Sequence, residues 1–310
     1  MSYQHQSVLL EEVIELLNPQ PNQHFIDCTL GGGGHAEAIL ERTGPNGKLL
    51  GIDLDDEAIK NGREKLARFG DRVVLIQGNF KNINKIKDEF FPKCAISGIL
   101  ADLGLSSNQL AGGSGRGFSF KVDQQLDMRL DDKQALTAAE IVNHYSEEQL
   151  FEIFQNYGQE KLAGLIAQKI IVVRQKHPPS ASRRSGIKTT AELVEIILAV
   201  YRQKLKSQKE IPWIGGLHPA TKVFQALRIA VNDELENLRV FLAEAIKALS
   251  PNGRLAVISF HSLEDRIIKQ FFKNQSDLKI INKKVIPPSF QERKNNPRSR
   301  SAKLRVAAKK

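Results

Sequence analysis

Three carboxylates stand where apolar runs end, and they set the chemical question. Asp27 closes Phe25-Ile26, Asp53 closes Leu49-Leu50-Gly51-Ile52, and Asp102 closes Ile99-Leu100-Ala101. A fourth run, Val73 to Gln77, leads into Asn79-Phe80. Between Asp27 and Asp53 lie four consecutive glycines, Gly31 to Gly34, followed by His35. Glycine permits positive φ and lets a ligand approach without a Cβ in the way. A strand, a glycine loop and a helix in that order aim the loop N–H groups and the helix N-terminus at whatever binds there. A carboxylate at the end of the next strand, about twenty residues on, is placed to grip a ribose diol. These residues could hold a nucleoside cofactor.

Two cofactors fit the pattern. Gly31, Gly33 and Ala36 satisfy G-x-G-x-x-A, the dinucleotide fingerprint, which leaves an NAD(P) oxidoreductase open. Asp27 argues the other way, because a carboxylate just before the loop repels a pyrophosphate. It suits a ligand that carries a sulfonium and an ammonium group, as S-adenosylmethionine does. The bland alternative, a merely flexible loop, is opposed by the flanking strand and helix. Phe80 fits core packing and adenine stacking equally well. His261, after the fifth apolar run, fits substrate contact or the capping of the helix that follows. Arg116, Arg129, Arg183 and Arg184 fit phosphate contacts or plain solvation, and Trp213 reads as a hinge or core residue. Seven histidines without ligand spacing point to no metal.

The elements that position these residues alternate. A helical pattern from Ser7 stops before Pro19, and further helices follow each of the first three apolar runs. Strands alternating with helices make a parallel α/β sheet whose ligand lies at the carboxyl ends of the strands. From about Gly112 the alternation stops. GGSGRGFSF reads as exposed, LDMRLDD as polar, and three helical stretches follow. Ser146 starts the first of them, and Thr189 or Thr190 caps the last. KHPPSASRRSGIK reads as a loop or linker. Alternation resumes with a helical run from Ala220 to Leu249, broken at Asn232-Asp233-Glu234. Then come the strand PNGRLAVISF, the helix HSLEDRIIKQFF and two more strand-like runs, KIINKKVI and KLRVAA. The expected division is a discontinuous α/β domain, 1–111 with 213–310, and an inserted all-helical domain, 112–212. Seven strands finishing in a hairpin fit the doubly wound, Rossmann-like class I methyltransferase sheet.

Composition narrows the field. A chain of 310 residues, 41% hydrophobic and 26% charged, can bury a sizeable core, so global disorder is excluded. Cys28 and Cys94 are too few for a disulfide scaffold or a cysteine zinc site. The start lacks a basic region followed by an apolar core, and no stretch approaches the length of a membrane span. A cytoplasmic protein without a membrane partner is expected. Of the formal +10 charge most falls between Gln291 and Lys310, where eight Lys or Arg face one Glu. Such a tail reads as an arm for a polyanion or as a solvated, frayed end.

Taken together, the motifs resemble one family. HQSVLLEEVIELL, DCTLGGGGHAEAIL, GIDLD, GNF, LADLGLSSNQL, RGFSF with LDMRLD, HPATKVFQALRIAVNDELE, ISFHSLEDRIIKQFF and NPRSRSAKLR are similar to the small-subunit ribosomal RNA methyltransferase H family, MraW-like. The resemblance implies S-adenosylmethionine-dependent methylation of N4 of a cytidine in the decoding centre, with 16S rRNA of the small ribosomal subunit as partner and the helical insertion recognising substrate. It further implies that Gly33, Gly34 and His35 line the methionine end of the cofactor. Asp53 is then expected to hold the ribose and Phe80 to contact the adenine, with Asp102 and Gln109 completing the pocket. Gln109 has no signal of its own; as a lone polar loop residue it reads as exposed. Asp102 is the expected catalytic acceptor for the cytosine amine. Amino-methylating DNA enzymes carry an Asn/Asp/Ser-Pro-Pro-aromatic run in that slot, whereas Asp102-Leu103-Gly104-Leu105 stands here. A non-catalytic RNA-binding or assembly factor with a cofactor-shaped pocket is the competing reading.

Overall fold

The computed structural model describes residues 6–105, 109, 112–176, 186–206 and 217–310. Two compact units emerge, Met1–Ser106 with Leu235–Lys310, and Ser107–Glu234. In the first unit, α1 (Leu10–Leu17) precedes β1 (His24–Asp27), α2 (Gly34–Arg42), β2 (Leu49–Asp53), α3 (Asp56–Leu66), β3 (Val73–Gln77), α4 (Ile83–Phe90) and β4 (Ile96–Asp102). The second unit holds α5 (Ala138–His144), α6 (Glu147–Asn156), α7 (Ala163–Lys176), α8 (Thr190–Leu205) and α9 (Thr221–Asn232). The chain then returns through α10 (Glu234–Ala248), β5 (Leu249–Ser259), α11 (Ser262–Asn274), β6 (Leu278–Ile280), α12 (Phe290–Asn295) and β7 (Lys303–Lys309).

The seven strands make one sheet in the order β3-β2-β1-β4-β5-β7-β6. Strands β1 to β5 are parallel to their neighbours, and β7 is antiparallel to both β5 and β6. This is the doubly wound class I methyltransferase sheet, with β7 inserted between β5 and β6. Apolar residues of β1, β2 and β4 are buried on both faces, as parallel strands covered by helices require. Ile26, Ile52, Ile99 and Val257 pack with Ile86 of α4, Phe241 of α10 and Ile268 of α11. On the opposite face Phe25, Leu49 and Leu100 pack with Val13 of α1, Ile39 of α2 and Ile59 of α3. Full burial of each such side chain contributes about 1.5–3 kcal/mol, so the sheet is a rigid platform for whatever its strand ends carry. No helix among the described residues is long and apolar enough to cross a membrane.

The helical unit departs from the expected boundaries. The limits foreseen at 111 and 212 fall outside the described residues, and α9, foreseen with the sheet, belongs to the helical unit. Its polar contacts explain why. Gln225 donates to the Tyr157 carbonyl, Lys222 to that of Gln159, and Asn232 to that of Met128. Asp233 then takes a left-handed conformation (φ 48°) and turns the chain into α10. The segments read as exposed and polar are instead stitched down. Phe118, Leu126 and Met128 are buried, and the Leu126 N–H donates to the Lys188 carbonyl. Ser146 and Thr189 each cap a helix in a capping box, contributing on the order of 1 kcal/mol apiece. Thr190 is buried instead, its hydroxyl donating to the Val122 carbonyl.

Candidate active site

The carboxyl edge of the sheet gathers the strand-end acids. Asp27 ends the interior strand β1, with β2 and Asp53 on one side and β4 and Asp102 on the other. Short backbone bonds lock the edge. Asp53 accepts from the Gly31 N–H through Oδ2 and from the Asp55 N–H through Oδ1, both at 2.9 Å. Asp27 Oδ1 accepts from the Thr29 N–H at 3.2 Å, and the Thr29 hydroxyl accepts from the Asp102 N–H at 2.6 Å. Thr29 thereby joins the first acid to the third, a role its type and position did not announce.

What the edge leaves unmet is hydrogen bonding at its deepest atoms. Asp27 Oδ2 and Asp102 Oδ1 are buried with no hydrogen-bond partner among the described residues. Burial pushes the Asp27 carboxyl up to about 7, the Thr29 N–H pulls it down, and the charges of Asp102 and Asp53 push it further up. Asp102 rises to about 7, again mainly through burial and against the pull of Arg298, while Asp53 rises to about 6 for the same main reason. An orphaned buried acceptor costs about 1–3 kcal/mol, so the edge suits a ligand bringing cationic and N–H groups. A sulfonium and an ammonium fit these residues. A pyrophosphate beside two buried carboxylates does not.

The glycine loop supplies the floor. Gly33 sits in the left-handed region (φ 69°) and precedes α2. A Cβ on Gly34 would lie 2.1 Å from the Ser7 hydroxyl, so the chain before α1 lies directly on the loop. His35 pins the same stretch: its Nε2 bonds the Val8 carbonyl at 2.9 Å. The buried imidazole thus ties the loop to the Ser7–Leu9 stretch. Phe80 opens a short 3-10 turn after β3 and meets Phe241 edge-on, with ring centroids 5.0 Å apart. It is partly buried against the core, as the core-packing expectation had it. Gln109 is buried, not exposed, and is counted with the helical unit.

Burial and pairing decide several open expectations, and for His261 the helix-capping alternative is the one observed. His261 caps α11: its Nδ1 accepts from the Glu264 N–H, and Glu264 accepts from the N–H groups of Phe260 and His261. Arg129 is clamped by both oxygens of Asp127 at 2.8 and 2.7 Å. Arg116 donates to the carbonyls of Arg129 and Leu130, so these two arginines hold the fold of the helical unit. Arg183, Arg184 and Trp213 lie outside the described residues. The basic tail is neither a free arm nor a frayed end. It forms α12, a 3-10 turn (Pro297–Ser301) and β7. Arg305 and Lys303 pair with Asp265, and Lys309 donates to the Leu249 carbonyl. Arg293 donates to that of Pro288 and Arg298 to that of Leu105. Among its cations Arg293, Lys294, Arg300 and Lys310 remain exposed.

Comparison with known proteins gives the family of the chain. Residues 2–310 match the MraW methylase family. The chain is 45% identical over 327 residues to the ribosomal RNA small subunit methyltransferase H of Heliobacterium mobile, covering 100% of both. It is 45% identical to the protein of the same name from a Picosynechococcus strain, covering 98% of this chain and 96% of that one. A Sulfurihydrogenibium counterpart is likewise 45% identical, with 98% of each chain covered.

Proposed function

The chain belongs to the MraW methylase family, and on that premise we propose that it transfers a methyl group from S-adenosylmethionine to the N4 amine of a cytidine in 16S rRNA of the small ribosomal subunit. Such a substrate places its work in the cytoplasm. The observation that carries the chemistry is the pair of orphaned buried oxygens, Asp27 Oδ2 and Asp102 Oδ1, at adjacent strand ends beside the glycine loop.

The cofactor supplies a methyl group already activated on a positively charged sulfur. Asp27 and the main chain of Gly33, Gly34 and His35 would hold its methionine end, and Asp53, which tethers Gly31, would take the ribose diol. Phe80 would flank the adenine. The target amine is a poor nucleophile because its lone pair is conjugated with the ring. Asp102 Oδ1 accepts one of its N–H bonds, turns the nitrogen toward the donor side and takes up the proton released as the new N–C bond forms. A carboxyl raised to about 7 is suited to that task at neutral pH. Orientation of this kind supplies up to roughly 7–11 kcal/mol of a barrier. A base inside structured RNA must first be splayed out, and the helical unit is the part of the chain free to bind the surrounding strand.

The test is transfer of labelled methyl into small-subunit RNA, with the product nucleoside mapped by mass spectrometry. N4-methylcytidine is expected from the wild type. Asp102→Asn should cut single-turnover transfer by roughly a hundredfold or more at saturating cofactor while changing cofactor affinity much less. Weak cofactor binding with near-normal transfer would remove Asp102 from the chemistry. No transfer by the wild type to any small-subunit substrate would leave an RNA-binding factor.

A further inference from the structure

The stretch between β6 and β7 touches both halves of the site. Glu292 on α12 accepts from the Leu9 N–H at 2.8 Å, and buried Asn296 donates to the Gln6 carbonyl at 3.2 Å. These bonds anchor the Ser7–Leu9 stretch that lies on Gly34 and His35. Two residues later, Arg298 reaches the far side of the edge and donates through Nη2 to the Leu105 carbonyl. Leu105 ends the Asp102-Leu103-Gly104-Leu105 turn, the slot that lacks a Pro-Pro-aromatic clamp. The Gly104 N–H bonds the Asp102 carboxylate, so the turn and the acid move together.

We infer that Arg298 is a positioning residue for methyl transfer, holding the turn after β4 through the Leu105 carbonyl and setting its guanidinium charge against the Asp102 carboxylate. The inference rests on the reading of Asp102 as the group that accepts from the target amine. Among the described residues, the charged groups that act on Asp102 are Asp27 from β1, Glu264 from α11 and Arg298 from the turn before β7. Two of the three are acidic, so Arg298 is the cation in this set that opposes protonation of Asp102. Its Nη2 bond fixes where that cation sits. Removing it therefore does two separable things: the turn loses an anchor, and Asp102 keeps its proton to higher pH.

Single-turnover transfer at saturating S-adenosylmethionine, followed from pH 5.5 to 9, separates the two. Wild type, Arg298→Gln, Arg298→Lys and Asp102→Asn are compared, with cofactor affinity and melting temperature measured on each. Arg298→Gln should lower the plateau severalfold and move the acid limb upward by on the order of one pH unit. Arg298→Lys, which keeps the charge without the planar fork, should return the limb toward its wild-type position while leaving the plateau reduced. A uniform fall at every pH with the limb unmoved, in Arg298→Gln or in the better-folded of the two variants, overturns the inference and leaves Arg298 as a structural tie. Wild-type transfer by Asp102→Asn instead overturns the acceptor reading itself, a distinct result.

Discussion

Replacing Asp27 by Asn should make the cofactor-free protein more stable at neutral pH and a poorer binder of S-adenosylmethionine. The carboxyl is buried, one oxygen has no partner, and its pKa is pushed from 3.8 up to about 7. A group whose folded pKa is raised contributes stability that is fully present below its unfolded pKa, 3.8, and is lost as pH rises through about 7. From pH 5 to pH 8 the unfolded carboxyl is ionised throughout, while the folded one goes from neutral to charged. At about 1.4 kcal/mol per pH unit, that window removes about 2–3 kcal/mol from the wild type. Asn keeps the oxygen that accepts from Thr29 and carries no charge to bury, so its stability should lack that slope. Urea denaturation at pH 5, 6, 7 and 8 reads the difference as diverging midpoints at constant m-value. The same substitution removes an anion from a cationic ligand, and the affinity measured by calorimetry should fall roughly ten- to hundredfold. Parallel stability curves for the two proteins across that window would refute the argument, since they would mean that Asp27 is not ionised at a cost in the folded chain.

Other outcomes follow from the same edge and from the helical unit. Asp53→Ala removes the acceptor of the Gly31 and Asp55 N–H groups along with the ribose contact, and cofactor affinity should fall by about 1.5–3 kcal/mol in calorimetry. Gly34→Ala drives a methyl into the Ser7 hydroxyl and should cost about 1 kcal/mol in thermal unfolding, with recovery when Ser7→Gly is added. Arg129→Gln breaks the bidentate pair with Asp127 and should destabilise the protein by about 1–3 kcal/mol in urea. The slope of RNA affinity against salt should not change in that variant, because a clamped arginine releases no counterions on binding; a flatter slope would assign Arg129 to phosphate after all.

The sequence by itself determined the local units. Apolar runs, a glycine loop and helical periodicity placed β1, α2 and β2, and with them Asp27, Asp53 and Asp102 at strand ends, because each signal lies within a few residues of the group it positions. Seven strands and a final hairpin were legible for the same reason, as were the caps at Ser146 and Thr189. Tertiary structure alone decided which elements meet. It set β4 beside β1, so that Thr29 joins Asp102 across 73 residues, and carried Arg298 across 193 residues to Leu105. It also gave the charge-dense tail its partners: the tail's cations find Asp265 and main-chain carbonyls, which a count of charges does not name. Arg116, Arg129 and His261 looked available because a sequence displays residue types, while hydrogen bonds between distant or folded-back segments exist only once the chain has closed on itself. Periodicity reports which face is buried. The charge balance at a buried site is set by whatever the fold brings alongside, and here that is Asp27, Glu264 and Arg298 around Asp102.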